Sequence, residues 1–408
     1  MRNKFYAITI IASFLLAACT NVPVPTPPAA STSTPTPLFT PTPLPAPSLT
    51  LARPGVYTAN RVDILPLPTI GYDLYIVGEA HGEHEVRLFF LDYLKRLHDA
   101  GGLRDIVLEE GQGYEPDANA YVQGINQTLR SDLCLRADVL KGVRTLNEQL
   151  PDDQKIRVHL VDVDSPFEPI YAHLRALQEQ SNTAVKSIEI PAWDKFQKLG
   201  QSDTYKLVDQ LIQAASDQPA IVNGLETVRL SLYYYFAGNR IGATAPIEGS
   251  SSNAQPREEA ITRNMQYLLK ELKGAPLLAL YGAAHTQRQN AMGGPVPDMK
   301  AWGQVLAESG VKLHSLSTWG LAGEAFWRGS SMKIDESTAD IQFGDGVSLA
   351  AVLDKAPNDG IVYIDLRPTA NGSVRLGLPY SAEVPASKIY DGLVLFRNVT
   401  PMENVCPK

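Results

Sequence analysis

The stretch from Asp73 to Gly111 constrains the fold more than any other part of this chain. A short apolar run, Leu74 to Val77, stops at a glycine, a helical pattern follows, and a second apolar run, Ile106 to Leu108, stops at two glutamates. Two strands joined by a helix form a βαβ unit, whose parallel strands end at the same edge of a sheet. Ligand sites in open α/β sheets lie at that edge. The stretch therefore predicts a parallel sheet with a site where these strands end.

Polar residues follow these strands at the predicted edge. Glu79 and His81 come directly after the first strand, and Glu109 follows the second. A later apolar run, Pro276 to Tyr281, leads into Gly-Ala-Ala-His and so to His285, which repeats the Gly-x-x-His pattern that ends at His81. Small residues at both exits let a ligand approach the backbone closely. We expect the two histidines and two glutamates to meet in one pocket.

The remaining elements complete the predicted fold class. Strands are expected at Ile156 to Val161 and Val311 to Leu316, an all-helical insertion at about residues 184–242, and strands and loops from Gly320 onwards. The sequence thus predicts an α/β fold: a largely parallel sheet flanked by helices, with a helical insertion and a C-terminal β-rich extension. The aromatic run Tyr233 to Phe236 in the insertion is expected to pack in a core, with a substrate wall as the alternative.

Acidic residues also follow the third predicted strand. Asp164 or Ser165, placed before a proline, is expected to cap the next helix. Asp162 suits either a helix start or the cleft, and the pattern does not choose between them. At the helix after Gly82, Glu83 lies in the first turn, where a carboxylate interacts favourably with the helix dipole.

The N-terminus carries the pattern of a bacterial export signal. Two basic residues precede an apolar run from Phe5 to Ala18, which is too short to span a membrane. Leu16-Ala17-Ala18-Cys19 matches a lipobox, so residues 1–19 are predicted to be a lipoprotein signal with lipidation at Cys19. An ordinary cleaved signal with an incidental cysteine is the alternative. The lipid would place the protein in the bacterial cell envelope, on the extracytoplasmic side of the membrane.

Residues 20–55 are dominated by proline, threonine and serine and have almost no charge. Such a stretch cannot bury enough apolar surface to fold, so it is predicted to be a disordered linker. Residues 56–408 are then one folded domain. The net charge of −8 and the absence of a basic run exclude a nucleic-acid surface. Cys134 and Cys406 could pair after export, or remain two buried thiols.

The order of these motifs resembles the erythromycin esterase family, which shares a superfamily with ChaN-type haem-binding lipoproteins and Tiki metalloproteases. The resemblance runs from about Gly71 to Pro401. The matching motifs are Gly78 to Gly82 with Glu85, Leu108-Glu109, Asn119 to Val122, Arg257-Glu258 with Asn264, His285, Ile364 to Leu366, and Tyr390 to Leu393.

The resemblance implies a small-molecule ester or lactone substrate, a role in antibiotic response and no required cofactor. It also implies that Glu85, Arg257, Glu258 and Asn264 bind substrate. The sequence departs from the esterases in two places. Its Glu-Ala-His spacing is one residue shorter and matches the ChaN-type proteins, and Arg87 lies about one turn before the arginine expected in the first helix.

The first hypothesis for the chemistry is hydrolysis. An imidazole can take a proton from water near neutral pH, and a neighbouring carboxylate orients it. We expect His81 to be the base, Glu79 and Glu109 to orient it and the water, and His285 with Arg257 to bind the developing oxyanion. The sequence has no Gly-x-Ser-x-Gly motif, which disfavours a serine nucleophile.

The second hypothesis is binding. Glu79, His81, Glu109 and His285 form a mixed nitrogen and oxygen set that suits a divalent metal, or they surround the edge of a haem. A bound metal would add a third variant, hydrolysis by metal-activated water. The alternative to all three is a tethered domain whose acids and histidines are solvated and idle.

Overall fold

The structure is a computed structural model, and it describes residues 46–237, 255–289, 291, 300–327, 330–334, 341–357, 360–367, 373–376 and 384–402. These residues all belong to one structural unit, Pro45–Lys408. The predicted signal, Cys19, most of the predicted linker and Cys406 lie outside the described residues.

A nine-stranded sheet organises the described part of the chain, in the order β1-β2-β10-β11-β7-β3-β6-β4-β5, with β8 and β9 forming a separate hairpin. The strands are β1 Leu49–Arg53, β2 Val56–Ala59, β3 Leu74–Glu79, β4 Asp105–Gly111, β5 Arg157–Asp162, β6 Leu277–Gly282, β7 Leu313–Gly320, β8 Gly323–Trp327, β9 Ser330–Ile334, β10 Ile361–Asp365 and β11 Gly392–Phe396.

The six strands from β11 to β5 are parallel, and β3 lies among them between β7 and β6. Leu74 of β3 pairs with both Leu277 and Leu313, so neighbouring strands start level with one another. Every residue of β3 and β6 is buried, because helices cover both faces of a parallel sheet and the strands become continuous apolar runs. The predicted α/β fold with a largely parallel sheet is confirmed.

Twelve α-helices surround the sheet in the described residues. They are α1 His84–Gly101, α2 Glu115–Val122, α3 Ala137–Asn147, α4 Phe167–Gln180, α5 Thr183–Lys186, α6 Trp193–Phe196, α7 Gln201–Ala214, α8 Pro219–Phe236, α9 Gln255–Glu271, α10 Trp302–Glu308, α11 Leu349–Leu353 and α12 Ala386–Ile389. Among the described residues, none of the helices combines the length and apolar character needed to cross a membrane.

Helix α1 buries the face that its sequence predicts, with Phe89, Phe90 and Leu94 fully inaccessible to solvent. It ends at Gly101, and its C-cap is Gly102, whose φ of 66° is the left-handed conformation that glycine adopts at little cost. Short 3₁₀ helices connect other elements. Two of them matter for the site: Ser131–Arg136 before α3 and Ala283–His285 after β6.

The helical insertion has its own apolar core, formed between α4, α6, α7 and α8. Tyr235 stacks on Phe167 with ring centroids 4.7 Å apart, and Tyr233 contacts Tyr205 at 4.5 Å. Tyr235 and Phe236 pack against this core while partly exposed, and Tyr233 and Tyr234 pack against a small separate apolar cluster. The part of the predicted insertion after residue 237 lies outside the described residues.

The folded domain begins earlier than residue 56, so the predicted end of the linker at residue 55 is wrong. Strand β1 pairs antiparallel with β2, with Leu49 opposite Ala59, and places an edge strand inside the predicted linker. Gly55, with φ of 73°, makes the tight turn between them. The backbone N–H and C=O groups of β1 find hydrogen-bond partners in β2, and the composition of residues 20–55 does not predict this pairing.

The predicted cap of the helix after β5 is also wrong. The N-cap of α4 is Pro166, which makes no side-chain capping hydrogen bond. Asp164 instead accepts a hydrogen bond from the backbone N–H of Gly113 at 2.7 Å and contacts His173 Nδ1 at 2.6 Å. The Asp164 carboxylate, which the local sequence predicted as a helix cap, therefore makes a tertiary contact instead.

The C-terminal extension is rich in strands, as predicted, but two of them join the main sheet. Strand β10 lies antiparallel between β2 and β11, and β11 continues the parallel part beside β7. The extension therefore completes one side of the sheet.

Candidate active site

The site lies where four neighbouring parallel strands end. Glu79 is the last residue of β3, Asp162 is the last residue of β5, and Gly282 is the last residue of β6. Glu109 stands two residues before the end of β4. Because these strands are adjacent in the order β3-β6-β4-β5, their carboxyl ends bring residues from distant parts of the chain to one edge.

Glu79 is a fully buried carboxylate held by two arginines. Arg136 Nη1 lies 2.5 Å from its Oε1, and Arg87 Nε lies 3.0 Å from its Oε2. His81 Nδ1 contacts the same Oε1 at 2.9 Å. Burial by itself would raise the pKa of Glu79, but the two guanidinium groups and His81 outweigh it and hold that pKa well below its usual range. Glu79 is therefore an anion that orients the His81 ring.

A β-bulge brings two consecutive glutamates towards Arg136. Leu108 pairs with Leu160, but Gly111 pairs with Asp162, so β4 has one residue more than β5 in this interval. Arg136 consequently reaches both side chains, with Nη2 3.7 Å from Glu109 Oε2 and Nε 3.4 Å from Glu110 Oε1. Burial raises the pKa of Glu110 to about 7, although Arg136 opposes the rise.

Glu109 connects β4 to β6 and α9. Its Oε2 accepts the backbone N–H of Gly282 at 2.6 Å, and its Oε1 lies 2.6 Å from Arg257 Nη2. Arg257 also bonds to both oxygens of Asp162, and the hydroxyl of Tyr281 donates to Asp162 Oδ2 at 2.7 Å. Burial would raise the pKa of Glu109, but Arg257 and the two site histidines lower it to about 2. Glu109 is thus also ionised.

His81 and Glu109 approach each other over Gly282. His81 Nε2 lies 3.8 Å from Glu109 Oε2, and the His81 side chain is 24% exposed. A Cβ atom on Gly282 would lie 3.0 Å from His81 Nε2 and 3.2 Å from Glu109 Oε2. Glycine at the end of β6 therefore leaves the space that these two side chains occupy.

His285 has its own carboxylate partner from α9. Its Nδ1 bonds to Glu258 Oε1, while Glu258 Oε2 accepts the backbone N–H of Trp302 at 3.1 Å. His285 Nε2 lies 3.4 Å from Arg257 Nη1. Burial lowers the pKa of His285, but Glu258 counteracts it and the net pKa is raised. The His81 and His285 imidazoles are thereby connected through Glu109 and Arg257.

Six of the predicted site residues meet in this cluster: Glu79, His81, Glu109, Arg257, Glu258 and His285. Glu85 does not join them, since its carboxylate accepts the N–H and hydroxyl of Thr400 at 2.7 and 2.8 Å. Asn264 also makes other contacts, donating to Val161 O at 2.9 Å and accepting from Asn223 and Thr227 of α8. The substrate-binding role predicted for these two has no support from these contacts.

Sequence reasoning missed two arginines of the site. Arg136 lies in a 3₁₀ helix without periodicity, and its sequence surroundings give no signal. The sequence does give a signal for Arg87, because it is a charged residue between the apolar positions Val86 and Phe90 on the buried face of α1. Asp162, which the sequence left undecided, faces the site and holds Arg257.

Three side chains of the site are close enough to bind one metal ion, but arginines already neutralise their negative charge. Glu79, His81 and Glu109 offer ligand atoms within 4.8 Å of one another. However, Glu79 already bonds two guanidinium groups and Glu109 bonds a third, so little negative charge remains for a divalent cation. The donor set therefore fits a divalent metal poorly.

Comparisons with known proteins identify the fold. No family model and no curated protein matches this sequence. A solved Bacillus cereus protein is 18% identical with a TM-score of 0.60, covering 82% of this chain and 90% of its own. A succinoglycan biosynthesis protein is 14% identical, with a TM-score of 0.60 and coverages of 81% and 88%. Erythromycin esterase EreC, solved as a mutant in an open conformation, is 14% identical, with a TM-score of 0.59 and coverages of 85% and 95%. The chain shares the fold of these proteins.

Proposed function

We propose that this protein is a lipid-anchored hydrolase that cleaves a carboxylic ester or a lactone with water activated by His81. The observation that carries the proposal is the placement of His81. Its ring is oriented by the buried anion Glu79 and lies beside Glu109, next to a second imidazole and an arginine. This arrangement supplies a base and a site for a negative oxygen within one cluster.

The first step uses the space between His81 and Glu109. Their 3.8 Å separation is too long for a direct hydrogen bond, but it suits a water that bonds to both. His81 Nε2 takes a proton from that water, and the hydroxide attacks the ester carbonyl carbon. Glu79 stabilises the imidazolium that forms, in the way that a triad carboxylate does.

The second step uses Arg257 and His285. With His285 protonated, as its raised pKa favours, Nε2 and Arg257 Nη1 are two donors 3.4 Å apart that can share one acceptor. The carbonyl oxygen becomes that acceptor as it gains charge. The tetrahedral intermediate then collapses, and His81 Nε2 returns its proton to the departing alkoxide.

The class of substrate rests on fold and chemistry together. Erythromycin esterase EreC has the same fold, and its name supports an ester or lactone as the bond cleaved here, while fold alone does not fix the substrate. Lipidation of Cys19 would hold the enzyme on the extracytoplasmic side of the bacterial membrane. Labelled palmitate should enter the wild-type protein and not Cys19→Ser; equal labelling would refute the anchor.

A panel of esters and lactones tests the proposed reaction. We expect turnover by the wild type, a loss of at least about a hundredfold in kcat/KM in Glu109→Gln, and near wild-type rates in His84→Asn. His84 is a matched control, since it lies three residues after His81 but its Nδ1 lies 3.9 Å from Asp138 Oδ2. Full activity in Glu109→Gln would overturn this mechanism.

A metal-dependent reaction or metal binding is the second candidate, favoured by the three ligand atoms within 4.8 Å. Elemental analysis of purified protein, with a haem titration followed by absorbance, separates the possibilities. Substoichiometric metal, activity that survives chelator and an unchanged Soret band support the metal-free proposal. Stoichiometric metal with loss of activity on chelation would replace it with metal-activated water.

A further inference from the structure

The segment that carries His285, residues 283–288, is bonded at its first residue to the part of the chain just before β11. The Tyr390 side chain is fully buried, and its hydroxyl donates to Ala283 O at 2.8 Å. Ala283 directly follows the last residue of β6, so this bond acts where the segment leaves the sheet. A buried carbonyl that lost this donor would be destabilised, which gives the contact weight in holding the segment.

Arg288, at the other end of the segment, is bonded to the same part of the chain. Its backbone N–H donates to Ile389 O at 2.9 Å, and its guanidinium pairs with Asp391 Oδ1. The Asp391 side chain is only 8% exposed, so solvent screens this ion pair less than a surface pair. Residues 389–391, called here the β11 anchor, therefore hold both ends of the segment.

The middle of the segment is bonded to β7 through Ser315, which the β11 anchor also holds. Ser315 Oγ donates to Thr286 O at 2.9 Å. The backbone N–H of Ser315 donates to Asp391 Oδ2 at 2.9 Å, and that of Asp391 donates to Ser315 O at 2.7 Å. Ser315 and Thr286 are both fully buried, so protein groups rather than solvent satisfy these polar atoms.

The segment packs directly against the strand that leads to His81. A Cβ atom on Gly78 of β3 would lie 2.5 Å from Thr286 Oγ1 and 3.1 Å from Ala283 Cα. Gly78 immediately precedes Glu79, the carboxylate that orients His81. The β11 anchor thus acts on a segment that lies against the exit of β3.

The His285 ring meets its partners only if the backbone of this segment is in place. Its Nδ1 bonds to Glu258, and its Nε2 lies 3.4 Å from Arg257 Nη1. Both partners belong to α9, whereas the backbone of His285 belongs to the 3₁₀ helix after β6. Hydrogen bonds weaken steeply with distance and angle, so a small shift of the segment would weaken both contacts.

We propose that Tyr390 and Asp391 are positioning residues for His285, which fix the backbone of residues 283–288 so that the imidazole meets Glu258 and Arg257. This role gives a physical reason for the motif Tyr390 to Leu393, which the proposed reaction does not use. The two side chains take no part in the chemistry themselves. Their effect on rate rests on the proposed function, while their effect on the position of His285 does not.

Nuclear magnetic resonance of protein labelled with ¹⁵N-histidine tests the positioning without any substrate. His285→Asn identifies the imidazole nitrogen signals of His285, and Glu258→Gln shows how far they move when the carboxylate partner is lost. We expect Tyr390→Phe and Asp391→Asn to move these signals in the same direction as Glu258→Gln, because the ring is drawn away from its carboxylate.

Tyr93→Phe and Asp105→Asn are the matched controls. Tyr93 is a buried tyrosine whose hydroxyl donates to Pro68 O at 2.7 Å, and Asp105 is a buried aspartate paired with Arg157. Asp105 begins β4, at the end of the strand opposite the site. Both controls should lower the melting temperature about as much as the β11 anchor variants and leave the His285 signals unchanged.

Steady-state kinetics measure the effect on the proposed reaction. Tyr390→Phe and Asp391→Asn should lower kcat by about tenfold with little change in KM, because the contact to the oxyanion forms only as charge develops. Arg288→Lys keeps the charge that faces Asp391 and should retain more activity than Arg288→Met, although it loses the fixed geometry of the guanidinium.

Unmoved His285 signals in both Tyr390→Phe and Asp391→Asn would overturn the proposal, whatever the rates show. Signals that move equally in the two controls would also overturn it, because the cause would then be a general loss of stability. The spectrum also separates the two proposals. Signals that move only in the β11 anchor variants, in a protein that hydrolyses no ester on the panel, would support the anchor and reject the proposed reaction.

Discussion

The site contains two imidazole–carboxylate pairs, and their surroundings differ. Glu79 and His81 are two residues apart at one strand exit, and two buried arginines surround the carboxylate. His285 follows a similar glycine exit, but its partner Glu258 comes from α9 and also binds the backbone of α10. The two Gly-x-x-His exits therefore have the same local sequence pattern but different charged neighbours.

The difference is the basis for proposing a different role for each imidazole. Glu79 remains an anion beside His81, so that pair is suited to accept a proton. His285 lies against Arg257, and the two together form a cationic surface for a negative oxygen. In the proposed reaction, His81 would be the base on one side of Glu109, and His285 with Arg257 would be the oxyanion site on the other.

The largest expected contrast comes from removing each carboxylate's charge. Glu79→Gln should lower kcat/KM by about a thousandfold or more, because the imidazolium loses its counter-ion and the ring its orientation. Glu258→Gln should cost about ten- to a hundredfold, as expected for a group that only orients a binding residue. Steady-state kinetics measure both, with thermal melting to confirm folding. Equal losses would break the distinction between the pairs.

A smaller effect is expected on the free energy of unfolding when an arginine that contacts Glu79 is removed. Arg136→Met leaves a buried carboxylate short of a partner and should lower the free energy of unfolding by about 3 kcal/mol in urea titrations. Arg130→Met is the control, because the Arg130 side chain is 43% exposed and its ion pairs with Asp117 and Asp132 should contribute under about 1 kcal/mol. Similar losses in the two variants would show that Glu79 does not depend on buried cations.

The pH profile gives the smallest and most specific contrast. Because the pKa of His285 is raised, its cation persists to higher pH, and the rate should fall only as pH rises through that raised pKa. Glu258→Gln removes the carboxylate that raises it, so the falling limb of kcat/KM should move to lower pH. A limb at the same pH in both proteins would show that His285 does not act as a cation.

Much of the fold was predictable because its signals are local. The apolar runs of β3, β4 and β6 and the amphipathic face of α1 lie within single windows of sequence. Strand β1 was missed because its composition continues the proline-rich region, and only pairing with β2 makes it a strand. The sheet order, with β10 inserted between β2 and β11, depends on contacts that no single window contains.

The candidate site was likewise predictable only where local sequence carries the signal. Convergence of Glu79, His81, Glu109 and His285 follows from parallel strands ending at one edge, and the structure brings these residues together. Their chemical roles stay predictions. Arg136 could not be identified from its neighbours in the sequence. A buried anion such as Glu79 requires a compensating positive charge, so the sequence could predict that a cation contacts Glu79 but not which residue supplies it.

Imidazole rescue of His81→Ala tests the central claim most directly. Hydrolysis should be lost in this variant and restored in part by free imidazole, which can enter the vacated space and accept the proton from water, while His84→Ala should show neither loss nor rescue. The decisive quantity is the hydrolysis rate of His81→Ala without imidazole. A rate below about one hundredth of wild type agrees with His81 as the base, and an undiminished rate would contradict it.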